Sequence, residues 1–153
     1  MKPSKGSSLL RKGRASITNQ IYLLTTVVHE RKPVFTQSET AEIILSSLLW
    51  LENREKMALE VVVVMPDHFH FIAELHSGTL AKLMHSLKSY TARKINVLLN
   101  RRGRFWQAQY HDHAIRKDEV LNEVVVYCLN NPVRSGLVKD FHEYPYWYCR
   151  WAV

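Results

Sequence analysis

The sequence is poor in the residues that build disulfide-stapled, fibrous or membrane-spanning proteins. Its 153 residues include two cysteines, five glycines and five prolines. Cys128 and Cys149 form neither a CxxC pair nor a disulfide ladder, so a reducing, cytoplasmic setting is expected. No apolar run approaches the ~20 residues that cross a bilayer, and the basic N-terminus lacks the apolar segment of a secretion signal. A globular, single-domain protein is the class that remains.

Acidic residues are missing from two long stretches of the chain. None precedes Glu30, and none lies between Glu74 and Asp112, whereas basic residues occur throughout both stretches. Residues 1–16, rich in Gly, Ser and positive charge, are predicted to form a flexible basic arm, and residues 17–153 one domain. Segregated positive charge is typical of proteins that bind a polyanion, with nucleic acid first. A solvated basic face that keeps the protein soluble is the alternative.

Strand and helix patterns alternate along the domain. Four strands are predicted, at residues 19–30, 59–65, 68–75 and 110–116. Three helices are predicted, at residues 36–57, 77–103 and 117–131. A capping box from Thr36 to Glu39 begins the first helix, Ser77 or Thr79 caps the second, and Pro132 stops the third. The order βαββαβ with an added terminal helix predicts an α+β fold of ferredoxin-like type, an antiparallel sheet covered by helices. The aromatic tail after Asp140 is predicted to be irregular.

Two histidine pairs of the form HxH lie in predicted strands. Side chains alternate between the faces of a strand, so His68 and His70 point the same way, roughly 6.6 Å apart along the backbone. Two imidazoles at that spacing can converge on one cation, although an isolated HxH is more often a surface or hydrogen-bonded pair. His111 and His113 form a second pair. The first pair is favoured because it follows a hydrophobic strand and a tight turn, for which Pro66 and Asp67 are suitable residues, but the residues alone leave the choice open.

The last predicted helix contains a tyrosine and an asparagine four residues apart. Tyr127 and Asn131 would lie on one helical face. Asn131 precedes Pro132 and therefore lies at or beyond the helix end, so Asn130 is an alternative to it. A tyrosine in an apolar helix is more often a core residue whose hydroxyl finds a partner at the rim.

Three blocks of sequence together resemble a known family. "VVMPDHFHFI", "FWQAQYHDHAIR" and "YCLNNPVRSGLV" are similar, in order and spacing, to motifs of the single-tyrosine HUH transposases of small insertion sequences, and closest to the REP-associated tyrosine transposases. The resemblance covers about residues 21–138. It implies that His68 and His70 are the metal motif and that Tyr127 is the nucleophile on the terminal helix. Asn131 is implied as a third ligand, in place of the Gln that some relatives use.

The resemblance also implies an activity. Members of this family cleave and rejoin single-stranded DNA at hairpin-flanked sites, through a 5′-phosphotyrosine intermediate and with a divalent metal ion, Mg²⁺ or Mn²⁺. Some relatives are dimers whose tyrosine helix serves the partner's metal, and others act alone, so a homodimer is one expectation for this chain. The residues expected to contact DNA are Lys88, Arg93, Lys94, Arg101, Arg102, Arg104, Trp106 and Arg134. For Trp106, as for Phe105, stacking on unpaired bases and burial under the sheet are both open.

Two other functions are consistent with parts of the sequence. A βαββαβ sheet is also the architecture of RRM domains, which bind nucleic acid without cleaving it. The chain has no RNP1-like string of Gly and aromatic residues, however, and an RRM leaves the HxH pair and Tyr127 unexplained. A domesticated, inactive transposase would keep the fold and lose cleavage. A rolling-circle initiator or relaxase would share the chemistry, but the chain is short and lacks a helicase region.

Overall fold

A computed structural model describes residues 16–116 and 120–153 of the chain. The predicted basic arm lies outside these residues except for Ser16, whose hydroxyl accepts a hydrogen bond from the Leu80 amide (3.0 Å). Within the two described ranges, no helix has the length and apolar character needed to cross a membrane.

The described residues form one five-stranded sheet with helices on both faces. The strands are β1 (Ile21–Val27), β2 (Met57–Met65), β3 (His68–Leu75), β4 (His111–Ala114) and β5 (Trp147–Cys149). The helices are α1 (Ser38–Asn53), α2 (Leu80–Leu98), α3 (Leu121–Leu129) and the short α4 (Asn131–Arg134), and 3-10 turns span His29–Arg31 and Phe141–Glu143. The strand order is β4-β1-β3-β2-β5, and every neighbouring pair is antiparallel. The predicted α+β class with an antiparallel sheet is confirmed.

The alternation of β3 divides the molecule into two layers. Phe69 and Phe71 are fully buried in the larger core, against the apolar sides of α1 and α2. Ile72 points to the other face and packs in a smaller core with Val125 and Cys128 of α3. His68 and His70 alternate with Phe69 and Phe71. They therefore lie on the face of the sheet that α3 covers.

Strand β2 is buried on both faces because it lies between β3 and β5 and has helices above and below it. This explains why its sequence is a continuous apolar run instead of an alternating one. The tight turn at Pro66 and Asp67 pairs Met65 with His68 and so sets the register of the β2–β3 hairpin.

Several predicted helix ends are wrong. Gln37, not Thr36, precedes the first turn of α1, and no side-chain hydrogen bond caps it. The same helix ends at Asn53 instead of residue 57, because Glu55 adopts a left-handed φ of 59° before β2 begins.

Of the two predicted caps of the second helix, Ser77 and Thr79, the structure shows the second. The Thr79 hydroxyl accepts a hydrogen bond from the Lys82 amide, so Thr79 is the cap. The helix ends at Leu98, and the chain reverses at Asn100 with a φ of 50°, before Gly103 is reached.

The third helix is shorter than predicted at both ends. It begins at Leu121 and ends at Leu129, and residues 117–119 lie outside the described ranges. The chain does not become extended at Pro132. Pro132 lies in the first turn of α4, where a backbone N–H has no partner within the helix, so the N–H that proline lacks is not needed.

The tail contains a 3-10 turn and a strand, so the prediction that it is irregular is wrong. Strand β5 pairs antiparallel with β2, from Val61 opposite Cys149 to Val63 opposite Trp147. The Tyr144 hydroxyl donates a 2.5 Å hydrogen bond to the Val64 carbonyl, and the Arg150 side chain donates to the Leu59 carbonyl (2.9 Å). The tail therefore covers an edge of β2 that would otherwise be unpaired.

Candidate active site

The first histidine pair converges at the beginning of β3. The Nε2 atoms of His68 and His70 lie 3.1 Å apart, and their ring centroids are 4.7 Å apart with the rings nearly perpendicular. This convergence follows from the two-residue period of the strand, which the sequence predicted.

Each imidazole is held through its other nitrogen. His68 Nδ1 lies 2.6 Å from Asp67 Oδ1, and the second Asp67 oxygen accepts a hydrogen bond from Arg31 (3.1 Å). His70 Nδ1 lies 2.7 Å from the Thr25 hydroxyl, since Thr25 is directly opposite His70 in the β1–β3 register. Both outer nitrogens are engaged, and both inner nitrogens therefore face the same point.

The site keeps His70 neutral and Asp67 ionised. The pKa of His70 is lowered to about 3, chiefly by burial and also by the neighbouring His68, Arg134 and His111. Partial burial of Asp67 opposes its ionisation, but the hydrogen bonds from His68 and Arg31 outweigh this effect and lower its pKa. A neutral imidazole has a free lone pair with which to bind a cation.

Tyr127 lies near the end of α3 and is accessible. Its side chain is 64% exposed. The Arg134 guanidinium lies over its ring, 3.6 Å from the centroid, and donates a 2.6 Å hydrogen bond to the Tyr127 carbonyl. Arg134 also acts electrostatically on His70, so a single arginine contacts the tyrosine and influences the histidine pair.

The predicted relation between Tyr127 and Asn131 is altered by a break in the helix. Tyr127 belongs to α3, whereas Asn131 begins α4, and Asn130 lies between the two helices with φ −82° and ψ 4°. Both asparagines are partly buried. The assignment of Asn131, or of Asn130, as a third ligand stays a prediction.

The second histidine pair lies on the same face of the sheet as the first. His111 is opposite Thr25 across the β1–β4 pairing, and Thr25 is in turn opposite His70. His113, two residues on, is opposite Leu23. Among the described residues, no group of three or more His, Cys, Asp and Glu side chains is placed to hold a metal ion. The two pairs therefore share a face without forming one ligand cluster.

The basic residues predicted to bind DNA occupy different positions. Arg93 and Lys94 line an open groove of about 840 Å³ between α1 and α2, on the opposite side of the sheet from His68 and His70. Lys88 is directed at the loop after α2, where it donates to the carbonyls of Gln107 (2.8 Å) and Ala108 (3.2 Å).

The loop arginines lie near the histidine end of the sheet. Residues 105–107 run beside the end of β1, since the His29 amide donates to the Phe105 carbonyl and the Gln107 amide to the Val27 carbonyl (both 2.8 Å). Val27 is paired with His68. Arg102 and Arg104 are exposed, whereas Arg101 is half-buried over the Phe105 ring.

The two aromatic residues after the loop arginines are part of the core. Trp106 is 5% exposed, its indole N–H donates to the Thr91 hydroxyl (3.0 Å), and its ring stacks on Phe35. Phe105 is buried beside it. Burial, the alternative that the sequence left open, is what the structure shows, and we do not assign base stacking to either ring.

The sequence reasoning missed three residues of this site. Thr25 and Arg31 were not singled out, and Asp67 was interpreted only as a turn residue. For Asp67 a signal existed, because an acidic residue directly before a histidine can hold its ring. For Thr25 there was none, since its position opposite His70 depends on the register of two strands that are 45 residues apart in sequence.

Comparisons with known proteins identify the family and the fold. A family model described as IS200-like transposases matches residues 16–131. A Haemophilus influenzae protein described as a REP-associated tyrosine transposase is 27% identical over 96 residues, which are 56% of this chain and 54% of that protein. The chain thus spans about half the length of this curated relative.

Two solved structures share the fold. One is a REP-associated tyrosine transposase bound to a REP hairpin, with a TM-score of 0.69 and 21% identity over 88% of this chain and 79% of that one. The other is described as a transposase from Deinococcus radiodurans R1, with a TM-score of 0.55 and 19% identity over 77% of this chain and 95% of that one. The resemblance read from the three sequence blocks is confirmed, and the chain belongs to the family of IS200-like transposases.

Proposed function

We propose that this chain cleaves and rejoins single-stranded DNA at hairpin-flanked sites, as a metal-dependent tyrosine transposase. The observation that carries the proposal is the convergence of the His68 and His70 Nε2 atoms, 3.1 Å apart, on the face of the sheet that the Tyr127 helix covers. The order β4-β1-β3-β2 of the first four strands supports the ferredoxin-like architecture that accompanies this chemistry in the family.

The histidine pair fits a divalent cation. Two nitrogen ligands that are each about 2.0–2.1 Å from one ion can lie roughly 3 Å apart, which is compatible with the measured separation. Metal-binding histidines usually engage a carboxylate or another polar group through the second ring nitrogen, as His68 does with Asp67 and His70 with Thr25. His68 and His70, with the Asn131 amide as a third candidate, would hold Mn²⁺ or Mg²⁺. When bound, the ion would polarise phosphoryl oxygens and stabilise charge on the leaving oxygen.

The remaining chemistry belongs to Tyr127 and Arg134. The Tyr127 oxygen attacks the phosphorus and forms a phosphotyrosine, while the bond from phosphorus to the 3′-oxygen breaks and that oxygen takes up a proton. The reverse reaction rejoins the strand without a nucleotide cofactor, because the bond energy is kept in the covalent intermediate. Arg134 supplies a permanent positive charge beside the ring, where it would attract the scissile phosphate.

Stem-loop DNA is the proposed substrate. One solved relative is described as bound to a REP hairpin, and this chain carries a net charge of +7. Basic side chains supply salt-dependent affinity for phosphates. Homodimer formation and a cytoplasmic location stay predictions.

The proposal is tested by incubating labelled single-stranded stem-loop DNA with Mn²⁺ or Mg²⁺ and three proteins. These are the wild type, Tyr127→Phe, and Tyr90→Phe as a matched control, since Tyr90 is an exposed tyrosine on α2. We expect a covalent protein–DNA adduct with the wild type and Tyr90→Phe, none with Tyr127→Phe, and DNA binding by all three. An adduct that survives in Tyr127→Phe removes this residue from its role. If all three proteins bind varied hairpins and none of them cleaves the DNA, the chain is a passive binding module or an inactive relative.

A further inference from the structure

A continuous polar chain runs across the histidine end of the sheet. Arg31 donates to Asp67, whose other oxygen lies 2.6 Å from His68 Nδ1. The two Nε2 atoms are 3.1 Å apart, and the Thr25 hydroxyl lies 2.7 Å from His70 Nδ1. Arg31 reaches Asp67 from a left-handed backbone conformation, with a φ of 52°. Such conformations persist in folded proteins only where the surrounding contacts enforce them.

The positions of the protons along these polar side chains follow from which atoms can donate a hydrogen bond and which can only accept one. A carboxylate paired with a guanidinium only accepts, so the proton of a neutral His68 is on Nδ1 and its Nε2 has a lone pair. The 3.1 Å contact between the Nε2 atoms then requires a proton on His70 Nε2. His70 Nδ1 is left as an acceptor, and the Thr25 hydroxyl donates to it.

A cation bound by both histidines needs a different arrangement. Both Nε2 atoms must then present lone pairs, so the proton of His70 has to be on Nδ1, where it requires an acceptor. The Thr25 hydroxyl can meet both requirements, because it donates in one arrangement and accepts in the other after rotating about its C–O bond. No proton is gained or lost by the histidine pair as a whole.

We propose that Thr25 is a positioning residue that lets His70 exchange tautomers when the cation binds, while Asp67 keeps His68 in one tautomer. This inference rests on the proposed metal-dependent function, since it assigns a role to a residue behind the predicted ligand. In this role Thr25 acts through His70 and is not itself a metal ligand.

The adjacent threonine is a matched control. Thr26 is opposite Phe69, points to the other face of the sheet and is fully buried. Its hydroxyl has no hydrogen-bond partner among the described residues. Replacing it with valine removes a buried hydroxyl from the same strand without touching either histidine.

The experiment combines metal binding with a direct view of the ring protons. Mn²⁺ affinity is measured by calorimetry for the wild type, Thr25→Val, Thr25→Ser and Thr26→Val. The tautomers of His68 and His70 are read from long-range ¹H–¹⁵N spectra of wild-type protein with ¹⁵N-labelled histidine, first without metal and then with Zn²⁺ as a diamagnetic probe. Thermal unfolding of each variant checks that it is folded.

We expect the wild type without metal to carry the His68 proton on Nδ1 and the His70 proton on Nε2, and the His70 proton to appear on Nδ1 with Zn²⁺. Loss of a group that orients a metal ligand typically weakens binding about 10–100-fold. We expect a loss of this size for Thr25→Val, near wild-type affinity for Thr25→Ser and no change for Thr26→Val.

Two results would overturn the inference: a His70 proton already on Nδ1 in the metal-free protein, or Mn²⁺ affinity in Thr25→Val equal to that of the wild type. A wild-type protein that binds neither ion instead removes the metal from the proposed function. The metal-free spectra then still decide whether Thr25 donates to His70.

Discussion

Asp67 has two structural roles, one through its backbone and one through its side chain. It occupies the β2–β3 turn, where its backbone carbonyl accepts a hydrogen bond from the Val28 amide (2.8 Å), and its carboxylate joins Arg31 to His68. From the sequence, Asp67 is predicted only as a turn residue. At the scale of single residues, the local pattern identifies which side chains share a face, but not which partner each ring nitrogen has.

Replacing Asp67 with asparagine tests the second role. The amide is nearly isosteric but has an N–H₂ group that can donate to His68 Nδ1, which would leave the ring proton on Nε2, the atom predicted to bind the metal. We expect Mn²⁺ affinity, measured by calorimetry, to fall about 10–100-fold. Asp140→Asn is the control, because Asp140 forms a similar pair with exposed His142 (2.7 Å) far along the chain. Equal affinities for the two variants would show that the Asp67 charge is not needed.

Strand β5 shows how an element without a sequence pattern is held in place. It has three residues, all partly buried, and its position depends on the segment before it. Tyr144 is buried in the smaller core, and its hydroxyl bonds to the Val64 carbonyl. Burial raises the pKa of Tyr144 to about 12. Because the ordinary pKa of tyrosine is about 10, the unfolded chain loses this proton first.

The stability that Tyr144 contributes should therefore be complete below pH 10 and decrease as the pH rises toward 12. At neutral pH we expect Tyr144→Phe to lower the free energy of unfolding by about 0.5–1.5 kcal/mol, the usual contribution of one hydrogen bond. The difference between wild type and variant should shrink between pH 10 and 12, as measured by urea unfolding. Tyr90→Phe, at an exposed tyrosine of α2, is the control. A constant difference from pH 8 to 12 would contradict the assignment.

At the scale of the molecule, two separate surfaces of the described part of the chain carry positive charge. Arg93 and Lys94 lie beside the α1–α2 groove, whereas Arg102 and Arg104 are exposed on the loop that meets the histidine end of β1. We expect a DNA strand bound at the histidine pair to contact this loop. The two surfaces can be compared because each contributes two cations.

We expect the double variant Arg102→Gln/Arg104→Gln to weaken binding of single-stranded stem-loop DNA more than Arg93→Gln/Lys94→Gln does. Each lost phosphate contact should also reduce the slope of log affinity against log salt by about 0.7. The measurement is a fluorescence anisotropy titration from 50 to 200 mM salt. Lys82→Gln, near the beginning of α2, is the control for a general loss of charge. The reverse ranking would place the strand along α2.

The sequence by itself determined features that depend on neighbours along the chain. The bounds of β3 and the shared face of His68 and His70 follow from side-chain period, and the structure agrees with both. Local hydrogen bonding narrowed the cap of α2 to Ser77 or Thr79, and the structure shows that it is Thr79. The family also followed from short blocks whose order and spacing lie within the sequence.

Only the tertiary structure decided the contacts between distant segments. Two of these features join residues that are 45 or more positions apart: the Thr25–His70 hydrogen bond and the pairing of β5 with β2. The burial of Trp106 depends on the packing around it. Such contacts are set by strand register and by the filling of the two cores, which no local pattern encodes.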